Sequence, residues 1–218
     1  MEILIVTATE SEIAPLCSHF KFSFDPTAGI GRLKYREHKI DLLVTGIGMT
    51  ATAYQMGKIF RSKYDVALNF GVAGSFNRNL ELGEIVNVVQ DHFSELGAEH
   101  ANGFYKLSEI DLPGIQEVFN ESKINNKVIE NIPSVCGITV NTVHGNDESI
   151  RKVFDRFHPN TESMEGAAFL YACSAEKIPS AQIRAISNYV ELRNKASWNM
   201  ELAIENLNKK AIEIINAF

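Results

Sequence analysis

Three polar side chains stand where this chain could do chemistry. Glu165 closes the acidic start of residues 161–171, T-E-S-M-E-G-A-A-F-L-Y, just before Gly166 and a run of small apolar residues. An ionised carboxyl is acceptor-only, with two oxygens to share, and so can hold two neighbouring hydroxyls such as the 2′ and 3′ groups of a ribose. Gly166, Ala167 and Ala168 let a ligand or a second backbone come close. Taken alone, Glu165 also reads as an acidic first turn that complements a helix dipole. Glu12 sits in T-A-T-E-S-E, where Thr9 and Glu12 match a capping box. Pro15 is tolerated only in a first turn, which predicts a helix starting nearer Ser11 or Glu12. Glu12 is then free to point off the end of the first strand, the edge where open α/β sheets bind ligands. Asn188 ends the run A-Q-I-R-A-I-S. It reads either as a strand-terminal turn residue or as an amide offering two N–H donors.

Two glycine-rich stretches lie between these residues. Gly46-Ile47-Gly48-Met49-Thr50-Ala51 fits a relaxed dinucleotide fingerprint after a strand and before a helix. That motif also wants an acid at the end of the next strand, and here the strand ends Asn69-Phe70-Gly71. A nicotinamide or flavin cofactor is therefore not expected. Gly46 and Gly74, from the stretches 46–48 and 71–74, are instead expected on two edges of one small-ligand pocket, where main-chain groups meet the ligand. Tight turns without a ligand are the plain alternative. Arg193 and Lys195 follow Asn188 in a loop; Arg suits a ligand carboxylate, and otherwise is a solvated loop charge.

The elements that must position these residues are short apolar runs and periodic stretches. Strands are predicted over 3–6, 40–45, 66–70, 83–89, 135–140 and 181–187. Helices are predicted to Phe20, to about Arg61, from Pro113 to about Lys123, over 149–157 and over 165–176. A last helix capped by Ser197 carries Ala203, Leu207, Ala211, Ile214, Ile215 and Phe218 on one face. Residues 22–38 read as a loop with short strands, 97–110 as an irregular excursion, and 125–133 as a polar linker. Strands alternating with helices argue an α/β fold with a largely parallel sheet, in one domain spanning 1–218.

Composition narrows the function classes. In 218 residues, a hydrophobic fraction of 45% and a charged fraction of 22% are ordinary for a globular protein. A net charge of -6 speaks against a nucleic-acid partner. No stretch is apolar enough for a membrane span, and Ile3 to Val6 is too short for a signal-peptide core. The three cysteines, Cys17, Cys136 and Cys173, are widely spaced, form no metal pattern and suit a reduced cytoplasm. No metal or organic cofactor is expected.

Four segments carry a resemblance in order and spacing: 7–12 (T-A-T-E-S-E), 70–74 (F-G-V-A-G), 163–166 (S-M-E-G) and 186–188 (I-S-N). Together they resemble the purine nucleoside phosphorylase and nucleosidase superfamily, whose branches include the methylthioadenosine nucleosidases and the futalosine hydrolases. The resemblance spans essentially the whole chain. It implies a three-layer α/β sandwich around a mixed, mostly parallel sheet, a homodimer, and cleavage of a purine N-glycosidic bond in a nucleoside. By position, Glu12 would activate water, Met164 and Glu165 would bind the ribose, and Asn188 would face N7 of the base. Thr142 and Val143 would lie against that base. The methylthioadenosine enzymes carry Asp where this chain has Asn188. A protonated carboxyl can donate to N7 and accept from a 6-amino group, whereas an amide with two donors suits the two acceptors of a 6-oxopurine. Asn188 therefore implies hypoxanthine over adenine. An adenine nucleosidase and a nucleotide-binding protein without turnover are the competing readings. Glu12 repels phosphate, and the nearest Arg along the chain from the glycine stretches is Arg78. Hydrolysis is therefore expected over phosphorolysis.

Overall fold

A computed structural model describes residues 1–25, 27, 29–60, 64–101, 103–120 and 123–218. In chain order the elements are β1 (Glu2–Thr7), α1 (Glu10–Phe20), β2 (Ser23–Asp25), β3 (Ile30–Tyr35), β4 (His38–Val44), α2 (Met49–Ile59) and β5 (Val66–Ser75). They continue with β6 (Ile85–Phe93), β7 (Gly97–His100), β8 (Gly103–Lys106), β9 (Glu117–Phe119), α3 (Lys127–Glu130) and β10 (Ser134–Thr139). The chain ends with α4 (Asp147–Phe157), β11 (Thr161–Ser163), α5 (Gly166–Ala175), β12 (Ser180–Tyr189) and α6 (Met200–Asn216).

β1 shows why the sheet is covered on both faces. Successive strand side chains point to opposite sides. Ile3 and Ile5 pack with Ile13 and Leu16 of α1 and Leu207 and Ala211 of α6. Leu4 and Val6 pack with Met56 of α2 and Phe169 and Leu170 of α5. An unbroken apolar run is what a strand between two helix layers requires. The sheet is mixed. The centre β4–β1–β5–β12 is parallel throughout, as is β6–β10–β11. Antiparallel pairs lie at β2–β3–β4, at β6–β9 and where β12 meets β6. β11 then closes back antiparallel onto β5, with Thr161 opposite Ser75 and Glu162 opposite Gly74. This closure gathers the late ends of β5, β11 and β12 into one place.

Several predicted elements are revised. Gly71 to Gly74 is not a loop: β5 runs on to Ser75, paired with Arg184 to Tyr189 of β12. A Cβ on Gly71 would come within 2.3 Å of Arg184 Nη1 and 3.2 Å of Glu12 Oε1, so its glycine makes room for side chains from elsewhere. Among the described residues the helix predicted from Pro113 is absent; Glu117–Phe119 pairs antiparallel with β6 instead. Residues 97–110 hold the β7–β8 hairpin and a 3-10 turn, and 125–133 holds α3. Asn199, not Ser197, caps α6, its side chain accepting from Leu202 N at 3.3 Å. The predicted end of the second helix at Arg61 lies outside the described residues. α1 begins at Glu10 with Pro15 inside it. The buried Asn208 of α6 compensates: its Oδ1 accepts Leu16 N–H at 2.9 Å and its Nδ2 donates to Glu12 O at 2.8 Å. An amide is thereby inserted into the helix ladder where proline disturbs it. Among the described residues no helix is long and apolar enough to cross a membrane.

Candidate active site

Two carboxylates meet at the carboxyl ends of β1 and β5. Glu12, at the third position of α1, does close the capping box: its Oε2 accepts from Thr9 N and Thr9 Oγ1, both at 3.0 Å. Its other oxygen reaches across to β5 and accepts Val72 N–H at 3.1 Å. The cap and the approach to the site are therefore one arrangement. Helix capping aims the carboxylate rather than consuming it, because a carboxylate has four acceptor sites and the cap uses one oxygen.

Glu165 occupies the N-cap position of α5 without capping it. Its side chain instead accepts Gly48 N–H at 2.9 Å. Gly48 is at φ 98 and Gly46 at φ 84, backbone open to glycine, so this turn can present an amide inward. Gly46, expected on one edge of the ligand pocket, has its N–H spent on Ala8 O at 3.0 Å. Burial raises the Glu165 pKa, and nearby Arg184 opposes the rise. Met164 is half-buried and packs with Ile138, Val140, Val153 and Phe157.

Arg184 was not anticipated. It is 1% exposed, and its Nη2 donates to Asn69 Oδ1 at 2.5 Å. Glu165, Glu12 and Asp91 supply the compensating charge, while desolvation lowers its pKa. One signal in the sequence could have found it. Gln182 and Arg184 are two apart in an otherwise apolar strand, so they share a face and must find buried partners. Gln182 Nε2 donates to Asp91 Oδ2 at 2.9 Å, and Thr139 Oγ1 donates to Asp91 Oδ1 at 3.0 Å. Thr139 Oγ1 in turn accepts Ala167 N–H at 2.7 Å. This chain of bonds fixes the first turn of α5 and hence Glu165. It also explains Gly166, whose Cβ would fall 2.1 Å from Gln182 Nε2 and 2.3 Å from Asp91 Oδ2. Desolvation pushes the Asp91 pKa up to about 6.

Asn188 lies at the bulge in β12, where the register with β5 shifts between Ile186 and Asn188. Bulges re-aim side chains. The Asn188 Oδ1 accepts from Ser187 Oγ at 2.8 Å and Nδ2 donates to Tyr189 O at 3.0 Å. One of the two expected N–H donors is thus already engaged, and one is left for a ligand. Asn188, Gly74, Val143, His144, Glu162, Arg193 and Trp198 line a narrow cavity of ≈ 50 Å³. Thr142 is exposed and outside that lining; its neighbours Val143 and His144 face the cavity. The Arg193 guanidinium lies 5.6 Å from the Trp198 ring centroid. Arg78 is held by Glu191 at 2.6 Å, outside the cavity. A wider cleft of ≈ 540 Å³ beside Met1, Asp65 and Phe218 is at the amino ends of β1 and β5, away from both carboxylates. Among the described residues no His, Cys, Asp and Glu group is placed to hold a metal ion. Burial pushes the Cys173 thiol up to about 12 and Cys136 up to about 11, which suits packing rather than nucleophilic roles.

The sequence profile of the phosphorylase superfamily matches residues 2–218. The chain belongs to that superfamily. It is 29% identical over 176 residues to a futalosine hydrolase of Thermus thermophilus, covering 76% of each chain. It is 27% identical to a 5'-methylthioadenosine/S-adenosylhomocysteine nucleosidase of Glaesserella parasuis, covering 85% of this chain and 84% of that one. The structure of a futalosine hydrolase of Helicobacter pylori superposes with a TM-score of 0.85 at 18% identity, over 100% of this chain and 98% of the other. The fold is therefore the nucleoside phosphorylase-like α/β sandwich, in which Glu12, Glu165 and Asn188 come to one end of the sheet.

Proposed function

We propose that this nucleosidase hydrolyses the N-glycosidic bond of futalosine, releasing hypoxanthine and dehypoxanthine futalosine, a step of menaquinone synthesis by the futalosine route. The observation that carries the reading is the convergence of Glu12 and Glu165 around buried Arg184, beside a cavity lined by Asn188. The bond from C1′ to the base loosens first and leaves an oxocarbenium-like sugar. Glu165 holds the 2′ and 3′ hydroxyls and faces the growing positive charge. Glu12 positions a water on the opposite face and takes its proton. Arg184 keeps two acids and Asp91 close together by supplying their shared counter-charge. With three carboxylates around one guanidinium, the locale offers phosphate no net positive charge, which supports water as nucleophile.

Asn188 favours a 6-oxopurine, and the far end of futalosine carries a benzoate that Arg193 can meet at the cavity mouth. Arg193 is exposed, and among the described residues it has no carboxylate in ion-pair contact. The cavity is smaller than a purine, so this reading requires its walls to part when a base enters. We read residues 1–218 as one nucleosidase domain. Ile47, Tyr54 and Tyr171, exposed at 63%, 65% and 43% on and beside the packed pair α2 and α5, support a homodimer through that face. A cytoplasmic setting rests on three unpaired cysteines.

An adenine-releasing nucleosidase, acting on aminofutalosine or methylthioadenosine, is the second reading, favoured by the single free donor on Asn188. The test is chromatography of products after incubating the protein, without phosphate, with futalosine, aminofutalosine, inosine and methylthioadenosine. Hypoxanthine from futalosine is expected. Adenine alone would overturn the base assignment, and no base from any substrate would leave a nucleotide-binding protein without turnover.

A further inference from the structure

Glu162 is a buried acid that the reaction above does not use. It is 4% exposed, and both of its oxygens go to one residue. Oε1 accepts the main-chain N–H of His144 at 3.0 Å, and Oε2 meets His144 Nδ1. Burying a carboxylate is unfavourable unless it is fully paired, and here the pairing fixes one imidazole by its backbone and its ring. With Nδ1 held, Nε2 is the ring atom left for other work; among the described residues nothing hydrogen-bonds it. The fold explains where that ring stands. β11 pairs Glu162 with Gly74, and β12 pairs Asn188 with the same Gly74. His144 and Asn188 therefore line one cavity.

Two needs of the proposed reaction meet at that cavity. A 6-oxopurine presents acceptors at N7 and O6, but Asn188 has one N–H to give because the other goes to Tyr189 O at 3.0 Å. An amide also cannot surrender a proton, and a departing purine anion needs one. We propose that His144, oriented by Glu162, is the general acid that protonates the leaving base, an assignment that rests on the nucleosidase reading above. His144 enters the step as imidazolium. As the C1′–N9 bond breaks, its electron pair passes into the purine ring, and the Nε2 proton moves to N7. The base leaves as neutral hypoxanthine while Asn188 N–H holds O6. Water forms the new C1′–O bond and yields its proton to Glu12. Proton return from Glu12 to His144 through solvent restores the starting state. Glu162 faces the imidazolium charge throughout and stays ionised, as the acid of a Ser-His-Asp triad does.

The test compares His144→Gln and Glu162→Gln with the wild-type protein, using futalosine. Glutamine at 144 can still donate a hydrogen bond but has no proton to transfer. His144→Gln is expected to lower kcat by about a hundredfold to ten-thousandfold with the Kd for hypoxanthine changed by less than about threefold. Added imidazole should restore turnover to His144→Ala. Glu162→Gln should lose less, about tenfold, because the ring stays in place without its counter-charge. Turnover by His144→Gln within about threefold of wild type overturns the assignment, as does a loss that appears only in KM. Release of adenine, and no hypoxanthine, by the wild-type protein would instead overturn the substrate reading.

Discussion

The two ends of the site are built differently. The sugar end brings together Glu12 from α1, Glu165 from the start of α5 and Arg184 from β12, held by hydrogen bonds with Thr9, Val72, Gly48 and Asn69. Arg184 is 1% exposed and Glu165 8%. The base end, Asn188 with His144 and Arg193, hangs on a bulge and two loops, and Arg193 is exposed. The contrast suits a division of labour. Splitting a glycosidic bond needs charges held against a transition state, and that demands rigidity. Choosing a base needs only that the wrong hydrogen-bond pattern leaves a buried group unpaired.

At the sugar end the largest effect should come from Glu12. Glu12→Gln is expected to lower turnover of futalosine about a hundredfold to ten-thousandfold with little change in hypoxanthine affinity, read by steady-state kinetics and calorimetry. Full activity in that variant would remove Glu12 from the chemistry, leaving it only as the cap of α1.

The positioning network beneath that end makes a claim about stability and pH. Desolvation raises the Asp91 pKa from 3.8 to about 6. The folded chain therefore keeps this proton to higher pH than the unfolded chain does. Stability is full below about pH 4 and declines as pH rises through about 6, by up to about 3 kcal/mol for a shift of that size. Asn at 91 cannot ionise. It can accept from Thr139 and donate to a turned Gln182, whose Oε1 now has no partner. Urea unfolding should show Asp91→Asn gaining on the wild-type protein between pH 4.5 and 7.5. A difference that stays constant with pH would contradict the burial argument.

At the mouth of the base end, beyond His144, the expected change is smaller and selective. Arg193→Ala should raise KM for futalosine about tenfold and leave inosine, which lacks the benzoate, unchanged. Equal losses for both substrates would assign Arg193 to loop structure with Trp198.

The same contrast governs what could be read from sequence. The α/β class and its largely parallel sheet followed from local patterns: the run Ile3 to Val6, and the spacing of Ala203, Leu207, Ala211 and Ile215 on α6, which are all buried; the three-layer sandwich followed from the family resemblance. Glu12 and Glu165 were legible because each sits at a strand-to-helix junction, where a side chain can leave its own element. The errors came where distant residues decide local form. Gly71 looked like a loop residue, yet it is glycine because Arg184 and Glu12 crowd it from elsewhere in the chain. Pro113-Gly114 looked like a helix start, yet the segment beyond it completes the sheet beside β6. Pro15 argued for a later start to α1 because nothing local shows Asn208 arriving from α6. The engaged donor of Asn188 depends on a bulge, and the pairing of His144 with Glu162 depends on β11 closing onto β5. Neither leaves a trace in spacing.

The division between the two ends is tested most directly by Asn188→Asp. Its kcat/KM would be measured for futalosine and for aminofutalosine, which differ in the 6-position of the base. A carboxylate at 188 can accept from a 6-amino group, where Asn188 gives its one free N–H to a 6-oxo oxygen. The ratio of the two constants should shift toward aminofutalosine by about a hundredfold or more, with turnover still lost when Glu12 is also replaced. If both constants fall alike and the ratio holds, the base end does not choose the base, and the account of the site as a fixed sugar end with a selecting base end is wrong.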